Sequence, residues 1–330
     1  MTPRLERASV IGAGAMGSMC ALLLAGRGTR VTLWARSADR AGLLQADREN
    51  RRYLPGHPFP DGVVVTHDAR EAFADPQLVV SAVPCQYIRR VWGRLAGSLP
   101  PVVSVAKGIE VETLLRPTQI LKEILDGVTL AALSGPCLAP EAAAGLPTAV
   151  VVASEEYQLS NLVQEAFSTH TFRVYTNTDL VGVEFGGAAK NVIAIAAGAC
   201  DGLKLGNNAK ASLLTRGLVE ITRLGMALGA HADTFKGLAG IGDLIATCNS
   251  TVSRNHTAGE RIGRGVPLDE VIRSANGIIE GIDTTRSILQ LAELHHVEMP
   301  ITRAIYRVLF ENQSPKSAID SLMTRQLKGE

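Results

Sequence analysis

The sequence predicts an α/β N-terminal domain built on a predominantly parallel sheet, followed by an all-α C-terminal domain. Three observations carry this. An apolar run at Ala8–Ile11 leads into a glycine-rich turn and then into an apolar, helix-forming stretch, Ser18–Gly26. Short β-branched runs then alternate with helical segments as far as Tyr175, the pattern of a parallel sheet covered by helices on both faces. Beyond Asn177 the strand signals stop and long helical runs take over. We place the boundary at 180/181, which divides the chain into residues 1–180 and 181–330.

The turn is Gly12-Ala13-Gly14-Ala15-Met16-Gly17. Strand, Gly-x-Gly-x-x-Gly and helix in that order form the dinucleotide-binding fingerprint in its proper context, so the first domain is of the Rossmann type. Each glycine has its own task. Gly12 permits the tight turn, Gly14 lets backbone N–H groups approach a pyrophosphate, and Gly17 lets the helix lie close to the sheet. The helix N-terminus adds orphan N–H groups and partial positive charge for the phosphates. Arg4 and Arg7 before an apolar run also fit a secretory signal, but three glycines and a strand ahead of the helix argue against it.

Composition narrows the class. The chain has 330 residues, 46% hydrophobic and 20% charged, enough to bury a sizeable core. Its net charge of +1, from 33 basic and 32 acidic residues, gives no basic field for nucleic acid. No apolar run reads as a membrane span. The five cysteines are odd in number and form no Cys-x-x-Cys pair, which fits reduced thiols in a cytoplasmic protein. No metal-ligand cluster is expected; His295-His296 stands without a third ligand at the usual spacing.

Along the first domain, Arg30–Trp34 reads as the second strand, with Arg36 just beyond it where such folds meet the adenosine ribose. Tyr53-Leu54-Pro55-Gly56 and Pro58-Phe59-Pro60 read as a turn-rich loop. Further strands are expected at 63–66, 78–83, 102–106, 130–133, 149–153 and 172–175. Ligands sit beyond the carboxyl ends of such strands. That makes Gly12–Gly17, Arg36, Pro84, Lys107 and the segment from Gly135 to Cys137 candidates as a set. Lys107 follows a buried strand and precedes a glycine, so it reads as facing the cleft, with a solvated loop lysine as the alternative.

In the second half, residues 181–199 form a run of small and apolar residues that reads as a helix buried nearly all round, with Lys190 and Asn191 as its polar exceptions. A lysine there is costly unless paired or working, and burial tunes a lysine toward proton transfer near neutral pH. The alternative is a lysine snorkelling at a domain edge. Residues 237–248 read as a glycine-rich turn into a helix, with Asp243 at the helix start, where a carboxylate also serves as a cap. Asp243 and Thr247 share a helix face. Ser253-Arg254-Asn255 opens another helix and brings an N-cap hydroxyl, a guanidinium and an amide to one point, the chemistry of a phosphate site. Residues 277–281 form a turn, and helices over 284–295 and 301–313 close the chain.

These strings together resemble the bacterial-type NAD(P)-dependent glycerol-3-phosphate dehydrogenases, from Gly12 to about Ser321. The most specific are Gly186-Gly187-Ala188-Ala189-Lys190-Asn191-Val192-Ile193-Ala194 and Thr247-Cys248-x-Ser250-x-x-Ser253-Arg254-Asn255. Ala106-Lys107-Gly108, Ser134-Gly135-Pro136, the 144–149 stretch, Phe172-Arg173-Val174-Tyr175 and the 298–302 stretch support them. The resemblance implies interconversion of sn-glycerol 3-phosphate and dihydroxyacetone phosphate, supplying glycerophospholipid synthesis. It implies Lys190 as the general acid/base, with Lys107 and Asp243 around the reacting carbon. Substrate contacts follow at Gly135, Cys137, Ser253, Arg254 and Asn255. Cofactor contacts follow at Gly12, Gly14, Ala15, Met16, Gly17, Arg36, Tyr53, Lys107, Ala139, Arg254, Ile278 and Glu280. A homodimer is the family habit. Cys137 departs from the family, which has serine or threonine there; a thiol is the weaker hydrogen-bonding group.

No carboxylate stands at the end of the second strand, where NAD-specific sites place one; Arg36 does, and Asp39 lies in the next helix. The expectation is a preference for NADP(H), with NAD(H) usable. Two alternatives remain open: a related two-domain hydroxyacid or ketopantoate-type dehydrogenase, and a non-catalytic NAD(P)-binding sensor. The Ser253-Arg254-Asn255 element favours a small phosphorylated substrate.

Overall fold

Val10 and Ile11, β-branched and fully buried, pair on both sides with strands as apolar as their own. The structure, a computed structural model, describes residues 5–95 and 99–326; Arg4 of the signal-like run lies outside them. Its strands are β1 (Arg7–Ile11), β2 (Arg30–Trp34), β3 (Glu49–Asn50), β4 (Leu54–Pro58), β5 (Val63–Thr66), β6 (Leu78–Ser81), β7 (Val102–Ser104), β8 (Leu130–Ser134), β9 (Thr148–Ser154) and β10 (Phe172–Asn177). Eight of them form one sheet in the order β10-β9-β8-β7-β6-β1-β2-β5. All its pairs are parallel except β8 with β9.

The order decides where a ligand can sit. From β1 the chain builds outward through β2 to β5, then returns to β6 on the other side of β1. Between β1 and β6 the winding reverses, and such switch points open a crevice at the carboxyl edge. Strands β6 and β1 are buried on both faces; Leu78, Val79, Val80, Val10 and Ile11 are all at 0% exposure. Each such side chain stabilises the fold by roughly 1.5–3 kcal/mol, which makes this the rigid centre of the sheet.

By packing, the chain divides into two units. One reaches to Lys107 and resumes over Arg116–Glu184; the other comprises Gly108–Leu115 and the chain from Phe185 onward. The first contains the sheet. Among the described residues the second contains helices and no strand. Gly108–Leu115 carries no periodic pattern, and several of its backbone groups find partners within the second unit. Ser287 donates its hydroxyl to the Ile109 carbonyl (3.0 Å), and Glu110 donates its N–H to Leu115 (3.0 Å).

Two local expectations are corrected. The stretch read as a loop after Tyr53 contains β4, which pairs antiparallel with β3. A two-residue strand and a proline-rich partner carry little β signal. Arg48, just before β3 and in the left-handed region at φ 52°, donates its guanidinium to the Val63 (2.8 Å) and Pro60 (2.6 Å) carbonyls beyond β4. The chain also ends in one helix more than expected, Pro315–Met323, capped by the Ser314 hydroxyl accepting from Ser317 N–H (3.1 Å).

The helix Leu180–Gly202 contains the buried apolar segment expected over 181–199 and extends past both of its ends. By length and composition alone it could cross a membrane, which the sequence reading did not anticipate, but 89% of its apolar window is buried inside the protein. Within the second unit it meets the helix Arg254–Gly263 at backbone distance. A Cβ on Gly198 would strike the His256 carbonyl, and one on Gly259 the Ile195 carbonyl. Gly202 and Gly263, four residues further along each helix, are crowded in the same way. Glycines spaced by four line one face of a helix, so only this pairing lets the two axes come so close.

Candidate active site

The fingerprint turn has the geometry its glycines imply. Gly12 sits at φ 115°, and a Cβ there would stand 2.7 Å from the Ala82 carbonyl at the end of β6. A Cβ on Gly17 would collide with the Gly12 carbonyl, so the helix can begin directly above the turn. Gly14 has open space where its Cβ would be, with nothing within 4 Å. The helix starts at Ala15, earlier than expected, with Gly14 at its N-cap and no side chain bonded there. Its first-turn N–H groups and dipole thus stand beside the open space at Gly14, which suits a pyrophosphate. The residues fit a dinucleotide.

Other candidates share the carboxyl edge of the sheet. Arg36 is exposed just beyond β2, and Asp39 falls in the first turn of the helix Ala38–Asp47. The Tyr53 ring carries two guanidinium groups, Arg40 at 5.3 Å and Arg52 at 5.0 Å from its centroid, a stacked arrangement favourable for cations on aromatic faces. Lys107 is half-buried after β7 and donates to the Gly135 carbonyl (2.9 Å) at the end of β8. Gly135 is at φ 119°, and a Cβ there would press on Val150 Cα at 3.1 Å. Cys137 is partly exposed, and Ala139 begins the short helix Ala139–Ala143.

In the second unit, Lys190 is 6% exposed in the middle of its helix. Its ammonium donates to Asp243 Oδ1 (2.8 Å) and to the Thr247 hydroxyl, which in turn donates to Asp243 Oδ1 (3.2 Å). Asp243 and Thr247 are at 1% and 4% exposure. The cap of the helix Asp243–Cys248 falls to Gly242 rather than Asp243, so the Asp243 carboxylate serves as an inward partner for Lys190. A single π-helical turn, Leu238–Gly242, delivers it there; such turns recur where a helix must re-aim a side chain. Thr247 was legible only as sharing a face with Asp243. Next to it, burial pushes the Cys248 thiol up to about 12, so it stays protonated and inert.

The Ser253-Arg254-Asn255 element separates into three parts. Ser253 is the N-cap of Arg254–Gly263, its hydroxyl accepting from His256 N–H (3.3 Å). Arg254 is exposed, and its guanidinium lies along the turn at Gly277 (φ 112°), where a Cβ would be 2.8 Å from Nη1. Ile278 and Glu280 follow that turn, so these three cofactor candidates are brought together. Asn255 is buried; it donates to Asn191 Oδ1 (2.9 Å) and accepts from Gly281 N–H (2.9 Å). Its amide ties the helix bearing Lys190 to the helix Glu280–Leu294. Asn191 thus joins the site as a buttress, and its signal was its place as a polar residue inside a buried run.

Comparison with known proteins finds relatives over nearly the whole length. The model of the NAD-dependent glycerol-3-phosphate dehydrogenase N-terminus matches residues 7–160, and that of the C-terminus matches residues 179–320. A glycerol-3-phosphate dehydrogenase [NAD(P)+] of Pelodictyon phaeoclathratiforme is 48% identical, covering 98% of each chain. One from Citrifermentans bemidjiense is 47% identical over 98% of this chain and 99% of its own. The crystal structure of glycerol-3-phosphate dehydrogenase from Coxiella burnetii superposes with a TM-score of 0.94 at 38% identity, covering 98% of this chain and all of that one.

Proposed function

The chain belongs to the NAD-dependent glycerol-3-phosphate dehydrogenase family, and from that premise we propose how its residues divide the work. It is an oxidoreductase that interconverts sn-glycerol 3-phosphate and dihydroxyacetone phosphate with NAD(P)(H). The nicotinamide, when bound, supplies or accepts the hydride at C2 of the substrate.

The observation that carries the division of roles is the buried Lys190–Asp243–Thr247 cluster. In the reducing direction the substrate carbonyl gains negative charge, and Lys190 as ammonium stabilises it and donates the proton. In the reverse direction Lys190 as amine takes the proton back. Asp243 and Thr247 accept from the ammonium and hold it oriented. Lys107 adds positive potential near the reacting carbon. Arg254 and the N-terminus of its helix bind the phosphate, so remote binding energy positions C2. In the first unit, Gly12, Gly14 and Gly17 with Ala15 and Met16 cradle the pyrophosphate, and Tyr53 contacts the adenosine end.

Arg36 at the end of β2 supports a preference for NADPH, its guanidinium pairing with the 2′-phosphate. The reading carries with it a cytoplasmic homodimer that supplies glycerol 3-phosphate for glycerophospholipid synthesis. The test is loss of NADPH and NADH absorbance with dihydroxyacetone phosphate, run against ketopantoate and against no substrate. Turnover only with the phosphorylated ketone supports the assignment; turnover with ketopantoate instead, or none, refutes it.

A further inference from the structure

Asn50, the last residue of β3, belongs to none of the motifs above. Its side chain is fully buried, at 0% exposure. The amide nitrogen donates to the Ala13 carbonyl (3.2 Å) and to the Ser18 hydroxyl (2.8 Å). The amide oxygen accepts from the Arg40 guanidinium and from Tyr53 N–H (3.3 Å). Both protons and both lone pairs are used, and a primary amide is the side chain that offers two donors and two acceptors in one plane.

The consequence lies in the fingerprint. Ala13 stands between Gly12 and Gly14, and its carbonyl shares one planar, trans peptide unit with the Gly14 N–H. In such a unit C=O and N–H point in opposite directions. Holding the Ala13 oxygen on Asn50 therefore turns the Gly14 N–H away from the buried amide, at a residue flanked by open space. The Ser18 contact fixes the helix that follows. On its other side the same amide holds Arg40, which lies over the Tyr53 ring. Arg40 comes from the first turn of the helix after β2, the end at which the ribose 2′ position is read.

We infer that Asn50 is a positioning residue for the dinucleotide, aiming the Gly14 N–H at the pyrophosphate while holding Arg40 at the adenosine end. The inference rests on the dinucleotide reading of the glycine turn. Two variants separate its halves. Asn50→Asp keeps the oxygen acceptors for Arg40 and Tyr53 but loses both donors and sets a carboxylate against the Ala13 carbonyl. It weakens NADPH and NADH alike, by roughly tenfold. Asn50→Ala also releases Arg40, and weakens NADPH more than NADH.

The measurements are cofactor fluorescence titrations and steady-state kinetics on the full-length enzyme, with the melting temperature alongside. In folded variants kcat at saturating cofactor and the KM for dihydroxyacetone phosphate stay within about twofold of wild type, since binding rather than chemistry is altered. Variants that melt earlier yet bind both cofactors with wild-type affinity overturn the inference, because that is the result of a purely structural role. A fall in kcat with unchanged cofactor affinity overturns it as well. Where Asn50→Ala does not fold, Asn50→Asp decides. A wild-type chain without dinucleotide affinity would instead strike the cofactor reading, whereas wild-type affinity with unmoved variants strikes Asn50 alone.

Discussion

Replacing Lys190 by alanine tests catalysis and folding in one protein. The ammonium is the group assigned to proton transfer, and loss of a positioned general acid/base costs roughly 10²–10⁴-fold in turnover, or about 2.7–5.4 kcal/mol of barrier. The same change removes the ammonium that lies 2.8 Å from Asp243, a carboxylate at 1% exposure. Breaking a buried pair from one side costs about 3–5 kcal/mol, because the remaining charge is left without compensation. The Thr247 hydroxyl still donates to Asp243 and offsets part of that. Lys190→Ala should therefore bind NADPH normally, turn over dihydroxyacetone phosphate slowly, and unfold at lower denaturant. Lys190→Ala/Asp243→Ala removes both charges and should be destabilised by less than the sum of the two single changes, since contacting residues couple. The assays are steady-state turnover, cofactor titration and urea unfolding of wild type, both singles and the double. A folded Lys190→Ala enzyme that keeps more than about a tenth of wild-type turnover refutes the acid/base role. Additive stabilities refute the coupled buried pair.

Three further outcomes follow from the same geometry. Arg254→Ala should cost roughly 1.5–3 kcal/mol in binding of dihydroxyacetone phosphate and far less for unphosphorylated dihydroxyacetone; equal proportional losses in kcat/KM would remove the phosphate contact. Arg36→Ala should shift the kcat/KM ratio toward NADH by roughly tenfold or more, and a ratio that does not move, or a wild type favouring NADH, would show that Arg36 does not select the cofactor. Glu220 is buried and receives the Ile301 and Thr302 N–H groups (2.7 and 3.2 Å), and burial raises its pKa from 4.5 to about 7. A carboxyl with a raised folded-state pKa stabilises fully below its unfolded value and loses that contribution as pH rises through the folded one. Wild-type stability relative to Glu220→Gln should thus fall by about 3 kcal/mol between pH 4.5 and 8, and a pH-independent difference in urea midpoints would contradict it.

The chain's local chemistry was enough to determine its class and to single out its main candidate site elements. Gly12, Gly14 and Gly17 are legible because their tasks are local: a positive φ, an absent Cβ and a helix beginning directly above a strand. Lys190 is legible because charge in an apolar helical run has no cheap explanation. What tertiary structure decided is pairing. That Lys190 meets Asp243 and Thr247, more than fifty residues on, depends on a π-helical turn that no periodicity announces. That Asn255 spends its amide on Asn191 and Gly281 depends on two helices touching at Gly198 and Gly259. The β3–β4 hairpin was not legible because two residues and a proline-rich partner carry little β propensity, while the bonds from Arg48 to the carbonyls of Pro60 and Val63 appear only in the fold. Asn50 was invisible for the same reason: a lone asparagine in a polar stretch signals nothing until the fold buries it under the glycine turn. Backbone conformation is written in neighbours along the chain, whereas a hydrogen-bond partner brought from a distant segment is known only when the fold has placed both.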